Sequence, residues 1–240
     1  TIDDDGSLLY CVGLGHGDAM HVSDLDPDHP GLEVFTVHED GTEPYGWDIH
    51  DAATGKILLH ASGDTDNGRG LSADIDASNR GFEFWSSNDR QIRSAQTGNV
   101  VKSTGVSVNF RMYWDGDLQD ELFDGGKIDK WNGNGTSRLY SPYEVNYSST
   151  CNSTKSTPNL SCDLFGDWRE EVILWNSADP SMLTIFATNI PTKFRVPTLM
   201  HDHVYRMGIT WQNAAYNQPP HLGYYLPGRF ATKFQPQTNV

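Results

Sequence analysis

The stretch SDLDPDHPGLEVF, residues 23–35, decides the fold. Four carboxylates, Asp24, Asp26, Asp28 and Glu33, crowd an apolar tail of Leu32, Val34 and Phe35 that reads as a buried strand. The pattern returns three times: DIDASNRGFEFW from Asp74, DGDLQDELFDG from Asp115 and DLFGDWREEVIL from Asp163, spaced 50, 41 and 48 residues apart. A Thr-Gly element also recurs 43 residues apart, in DIHDAATGKIL (48–58) and QIRSAQTGNVV (91–101), with KIDKWNGNGTSRL (127–139) as a weaker copy. Short apolar runs lie between clusters of Gly, Asn, Asp and Pro. Those at 32–39, 56–61, 82–87, 170–176, 183–188 and 221–226 read as strands. Helical periodicity is almost absent. Periods of roughly 40–50 residues in an all-β chain signal β-propeller blades of about four strands. The expectation is therefore an all-β β-propeller portion of about four blades, one domain over 1–240 without an internal boundary. TIDDDG has no strand before it, so the chain reads as part of a larger ring whose N-terminal blades it lacks.

The charges need a physical reason. Three or four carboxylates converging in a tight loop repel one another strongly. A hard dication removes that cost, and Ca²⁺ accepts six to eight oxygen ligands in flexible geometry. The expected calcium ligands are Asp24, Asp26, Asp28 and Glu33; Asp74, Asp76 and Glu83; Asp115, Asp117 and Glu121; and Asp163, Asp167 and Glu171. Each glutamate would reach back from the start of its strand. The spacing is not that of an EF-hand, since Gly31 and Glu33 fall at positions 8 and 10 of the loop. The competing reading, a solvated acidic turn, suits an isolated cluster better than four recurrences.

Composition narrows the partners. The 240 residues carry a formal net charge of −15, with 37% hydrophobic and 11% aromatic residues. The charge disfavours double-stranded nucleic acid and acidic membrane surfaces as bulk partners. No run of eighteen apolar residues offers a membrane-spanning helix. The first residue is not Met, which reads as a processed or excised product. Cys151 and Cys162 flank a Ser/Thr/Asn-rich loop and are compatible with a disulfide or with two free thiols. N-x-S/T sequons stand at Asn134, Asn146, Asn152 and Asn159. Both features fit an extracellular, secreted protein. The seven tryptophans recur about once or twice per repeat and read mostly as core. No C-x-x-C or H-E-x-x-H string suggests zinc.

Longer strings carry a resemblance. At GLGHGDAMHVSDLDPDHPGLEVFTVHED, GRGLSADID, MYWDGDLQDELFDG, DLFGDWREEVILW and TLMHDHVYRMGITWQNAAYNQPPHLGYYL (198–226), the chain resembles the rhamnogalacturonan lyases of polysaccharide lyase family 11. The resemblance covers nearly the whole chain and matches the later part of such a protein. It implies an eight-bladed propeller holding several calcium ions. It also implies β-elimination in the galacturonate–rhamnose backbone of pectin, rhamnogalacturonan I.

β-Elimination beside a uronate carboxylate needs that carboxylate neutralised, the C5 proton taken and the departing oxygen assisted. Calcium and an Arg or Lys suit the first task; a neutral Lys, a His or a Tyr suits the others. The family pattern Asn-Gly-Thr-Lys falls on Asn152-Ser153-Thr154-Lys155. The resemblance implies that Asn152 and Thr154 hold rhamnose and that Lys155 sits at the galacturonate. Ser153 replaces Gly and restricts the loop. Arg69, in DNGRGLSAD, can pair a uronate carboxylate bidentately, or an aspartate such as Asp64, Asp66 or Asp74. Tyr216 can stack on a sugar or offer its phenol. The resemblance places His16 near the cleft, with Asp18 as a calcium ligand there. His203 stands where the family has Pro, which argues against an essential role. The resemblance implies that an exo member would carry a blocking loop at ASGDTDNGRG; no long insertion interrupts that stretch, which favours an endo mode. The rival reading is a non-catalytic calcium-dependent propeller for adhesion or carbohydrate binding. A partial ring would also need its remaining blades, from the same protein or a second chain.

Overall fold

A computed structural model describes residues 1–39, 45–212, 214 and 218–230. Four antiparallel sheets follow one another along the chain. Sheet one orders β1 (Met20–Ser23), β2 (Glu33–His38), β3 (Tyr45–Asp51) and β4 (Ile57–Gly63) side by side. Sheet two does the same with β5 (Gly70–Ala73), β6 (Glu83–Ser86), β7 (Gln91–Ser94) and β8 (Val100–Ser103). Sheet three contains β9 (Phe110–Met112), β10 (Glu121–Asp124), β11 (Lys127–Trp131) and β12 (Thr136–Tyr140). Sheet four contains β13 (Ser148–Ser149), β14 (Leu160–Cys162), β15 (Glu171–Asn176) and β16 (Leu183–Phe186).

Each acidic loop joins the first long strand of its sheet to the next. The inner strands are apolar on both faces because sheets cover them on both sides. Phe35 and Trp47 of sheet one meet Phe84 of sheet two. Leu71 and Trp85 of sheet two share a core with Leu122 and Trp131 of sheet three. Phe110 and Phe123 of sheet three pack with Val172 and Leu174 of sheet four. The repeated Thr-Gly element is the β3–β4 and β7–β8 hairpin. There Gly55 and Gly98 take φ of +73° and +71°, a region only glycine adopts cheaply, and their N–H groups donate to Asp51 O and Ser94 O.

The propeller expectation is corrected. The four repeats become four four-stranded sheets, but among the described residues these form no closed barrel or propeller. A repeat period defines the unit and leaves its closure open. Sheet four also departs from the simple order. β16 pairs with residues 172–175 of β15, while β14 and β13 divide the opposite edge of β15, at 171–173 and 175–176. The outer strand β16 leaves Leu183 and Ile185 exposed. The link from the fourth repeat back to sheet one runs instead through a helix and an irregular segment. The helix α1 (His203–Trp211) is N-capped by the Asp202 side chain, which accepts from Tyr205 N. The run at 221–226 is likewise not a strand: it enters a short helix, α2 (Leu226–Phe230). Its apolar residues serve irregular packing, with Leu222 and Leu226 beside Tyr205 and Trp168. Cys11, Cys151 and Cys162 are free thiols.

That returning segment docks on sheet one by polar contacts. Ser23 Oγ donates to Leu222 O at 2.7 Å, and Tyr225 N donates to Asp24 Oδ2 at 3.0 Å. His21 Nε2 donates to Gly70 O at 3.0 Å, so its Nδ1 accepts from His221 Nε2 at 2.9 Å. His221 Nδ1 is buried without a hydrogen-bond partner. Burial pushes His21 down to about 4 and His221 well below the ordinary histidine value. Both are neutral when folded and take up protons when unfolded. Their contribution is therefore present above pH ~6.5 and is lost as pH falls toward their folded values. Each adds up to about 1.4 kcal/mol per pH unit in that window. Urea unfolding of His221→Gln should show a shallower loss of stability on acidification than the parent chain. An identical slope would exclude this role.

Candidate active site

The acidic loops share one construction. Glu33 accepts from Leu25 N and Asp26 N, and Glu83 from Ile75 N and Asp76 N. Glu121 accepts from Trp114 N and Asp115 N, and Glu171 from Leu164 N and Phe165 N. Each glutamate reaches back and ties two successive amides at the start of its loop. Asp26, Asp76, Asp115 and Asp167 each accept a loop amide two residues on. The Asp26 position is taken by Phe165 in the fourth loop.

The loops differ in how they suit a cation. In the third, Asp115, Asp117 and Glu121 bring ligand atoms within 4.8 Å of one another. Lys130 Nζ stands among them, at 3.3, 2.8 and 2.5 Å, so an ammonium supplies the positive charge there. This loop does not fit a calcium ion beside that lysine. The second loop fits one better. Both oxygens of Asp74 and Oε1 of Glu83 are buried without hydrogen-bond partners. Burial, with Asp120 and Glu83 nearby, raises Asp74 well above the usual carboxylate range, and burial pushes Glu83 up to about 8. In the first loop, Gln96 donates to Asp26 and Asp28, Arg80 pairs with Asp28, and His29 meets Glu33. In the fourth, Asp163 Oδ2 accepts from Thr198 Oγ1 and Leu199 N, and Arg169 pairs with Asp167. Lys130→Met should cost about 1–3 kcal/mol by leaving buried Glu121 without its cation. Added Ca²⁺ should raise the thermal midpoint of the variant by more than it raises that of the parent; equal response of both proteins would contradict the lysine's role.

The other end of the sheets holds a different cluster. His16 and Asp18 precede β1, Glu39 follows β2, Arg69 precedes β5, and Thr154 and Lys155 precede β14. First strands of three or four residues set the two ends roughly 10–13 Å apart. Backbone bonds fix the convergence: Glu39 N donates to His16 O, Asn67 N to His38 O, and Ser87 N to Arg69 O. Lys155 Nζ donates to Asp18 Oδ2 at 3.1 Å and to Gly68 O at 3.0 Å. Arg69 Nη2 donates to Thr154 Oγ1 at 2.6 Å. His16 Nε2 lies 3.2 Å from Glu39 Oε1 and 3.6 Å from Asp18 Oδ1. Glu39, Asp66, Gly68, Arg69, Ser87 and Lys155 line an open cavity of about 360 Å³. Burial, with Asp18 and Asp66 beside it, raises the Glu39 carboxyl, and His16 opposes that rise. A larger cavity of about 810 Å³ lies under the N-terminal segment and shares only His16 with this cluster.

Of the sequence-predicted residues, His16, Asp18, Arg69, Thr154 and Lys155 thus meet. Asn152 shares the Lys155 loop but is exposed and donates to Thr157 Oγ1 within it. Asn152 and Ser153 have φ of 57° and 50°, so Ser153 occupies the conformation that glycine would adopt without strain. Tyr216 lies outside the described residues. Glu39 and Asp66 join the cavity without having been selected from sequence; Glu39 was signalled by its His-Glu pair at a strand exit. His16, Asp18 and Glu39 form the second group with ligand atoms within 4.8 Å among the described residues. Its two carboxylates are hard donors of the kind Ca²⁺ takes, whereas the imidazole is not.

Known proteins share this chain's sequence and shape. The sequence model described as rhamnogalacturonan lyase family 11, C-terminal domain, matches residues 1–236. A rhamnogalacturonan endolyase of Bacillus subtilis, YesW, is 48% identical over 100% of this chain and 38% of its own length. An exolyase of the same organism, YesX, is 47% identical over 94% of this chain and 39% of its own length. The crystal structure of YesW superposes with a TM-score of 0.87, covering 94% of this chain and 38% of that one. The chain therefore spans about two fifths of these relatives.

Proposed function

This chain belongs to rhamnogalacturonan lyase family 11, as its C-terminal domain, and from that premise we propose that it supplies the reaction centre of a secreted lyase. The substrate is the galacturonate–rhamnose backbone of pectin, rhamnogalacturonan I. The reaction is β-elimination, with the rest of the substrate cleft supplied by the additional length that the relatives possess. One observation carries the reading. Arg69 and Lys155 line one open cavity, and Thr154, Asp18 and His16 join them through direct contacts, from segments up to 139 residues apart (155 − 16).

Arg69 presents a cation to a uronate carboxylate, joined by the Lys155 ammonium where His16 is the base, and neutralising it acidifies the C5 proton. Thr154 fixes the guanidinium while its loop faces the adjoining sugar. Two side chains can take the proton, Lys155 and His16. His16 is oriented by Glu39 as a base is oriented by a carboxylate partner. Lys155→Arg keeps the charge and removes the base, so it separates the alternatives. Asp18 and Glu39, with Asp66 across the cavity, would hold a calcium ion, whose charge adds to the neutralisation of the uronate. Calcium at the Asp74–Glu83 loop would act on stability alone, since that loop lies at the far end of its sheet. The short segment at residues 62–70 leaves the cavity open and supports an endo mode. Mass spectrometry of the products tests the reaction: elimination fragments end in an unsaturated uronate and are one water lighter than hydrolytic ones. Hydrolytic fragments, or none, would exclude the lyase reading.

A further inference from the structure

A second cavity of about 220 Å³ adjoins the first, and Arg69 and Ser87 line both. Its other walls include Trp85, Arg90, Gly105 and Val108. The chain carries 32 acidic against 17 basic residues, so carboxylate partners are plentiful. Arg80, Arg93, Arg111, Arg138 and Arg169 each have one. Among the described residues, Arg69, Arg90, Arg195, Arg206 and Arg229 form no such ion pair, and of these Arg69 and Arg90 line one cavity.

Gly105 packs against the Arg90 side chain. A Cβ at Gly105 would come within 3.2–3.3 Å of the Arg90 guanidinium and Cδ. The floor is fixed as well: Trp85 is buried and its Nε1 donates to Ser107 O at 2.8 Å. The exposed second guanidinium therefore lies beside the first cavity, with no carboxylate ion pair among the described residues.

We propose that Arg90 forms a second uronate subsite, binding the carboxylate of the next galacturonate along the same backbone. The inference rests on the lyase reading above. In a backbone that alternates galacturonate with rhamnose, each acid is followed by a neutral sugar. The two adjoining cavities, which share Arg69 and Ser87, would take successive acids of that backbone. Arg90 contributes substrate binding and register, with no part in proton transfer.

The test uses the complete gene product and two backbone oligosaccharides. The longer places a galacturonate at both subsites, and the shorter lacks the second one. Arg90→Ala should raise KM for the longer substrate about tenfold, with kcat within about twofold, and leave the shorter unchanged. Arg90→Lys should fall between the two. Gly105→Val keeps the charge but displaces the guanidinium, and it should behave like Arg90→Ala. An unchanged KM for the longer substrate, or equal losses on both substrates, would overturn the subsite while leaving the lyase reading intact. Failure of the parent protein to cleave either oligosaccharide would remove the lyase reading and this subsite with it.

Discussion

Lys155→Ala and Arg69→Ala should each lower kcat on rhamnogalacturonan by about a hundred- to a thousandfold, with little change in thermal midpoint. The size follows from the task. A positioned cation at developing charge, or a positioned base, is worth about that much in a water-restricted site. The small effect on stability follows from the setting. Lys155 pairs with Asp18 at a partly exposed cavity wall, where an ion pair contributes about 0.2–1 kcal/mol. Arg69 holds a neutral hydroxyl, Thr154 Oγ1. Steady-state kinetics together with thermal melts decide the point. A loss of activity that tracks a loss of folded protein would place both residues in the scaffold.

The largest loss of stability should come from Arg111→Leu. Its buried guanidinium donates to Asp120 Oδ1 through Nε and Nη2, to Glu170 Oε2 and to Pro220 O through Nη1, and lies over the Tyr113 ring at 4.1 Å. One side chain thus ties the third acidic loop, the fourth acidic loop and the returning C-terminal segment. Tyr205 Oη donates to Glu170 Oε1 at 2.6 Å and extends the network into α1. Removing the cation strands two buried carboxyls, at a cost of about 3–5 kcal/mol. Burial already pushes Glu170 up to about 7 and raises Asp120, with Arg111 opposing both shifts. A carboxyl raised in the folded state stabilises below its unfolded value and loses that contribution as pH climbs to the folded one. Arg111→Leu should therefore be less damaging near pH 5 than near pH 8 in urea unfolding. A cost below about 1 kcal/mol at both pH values would contradict the network's role.

The sequence shows the units of this fold more clearly than their closure. The repeated D-x-D…E pattern marks four strand–loop–strand units because each glutamate must tie two loop amides, a local demand written in local residues. What covers the outer sheets depends on contacts some two hundred positions apart, such as Ser23 with Leu222 and His21 with His221. No spacing rule reports them, so the propeller expectation went beyond its support. HLGYYL alternates as a strand does, yet its apolar residues pack around Tyr205 and Trp168 from an irregular segment. Arg111 and Lys130 escaped notice because a charged residue in a strand reads as solvent-facing until its buried partners are seen.

The candidate site was legible for a different reason. Arg69, Lys155, Thr154, His16 and Asp18 were marked by the family resemblance of their loops rather than by spacing, and hydrogen bonds and ion pairs bring all five together. Glu39 and Asp66 were harder to see, since acids are common in this chain. Their position at the cavity wall distinguishes them from the acids of the far-end loops. That separation places loop-building acids at one end of the sheets and the acids of the proposed site at the other.

β-Elimination on a uronate is proposed for the Lys155–Arg69 cavity. The near-ultraviolet absorbance of unsaturated uronate, followed as the complete gene product acts on rhamnogalacturonan I with calcium present, tests it most directly. A steady rise is expected for the parent protein and almost none for Lys155→Ala at equal folded concentration. No rise from the parent protein, or an equal rise from both, would contradict it.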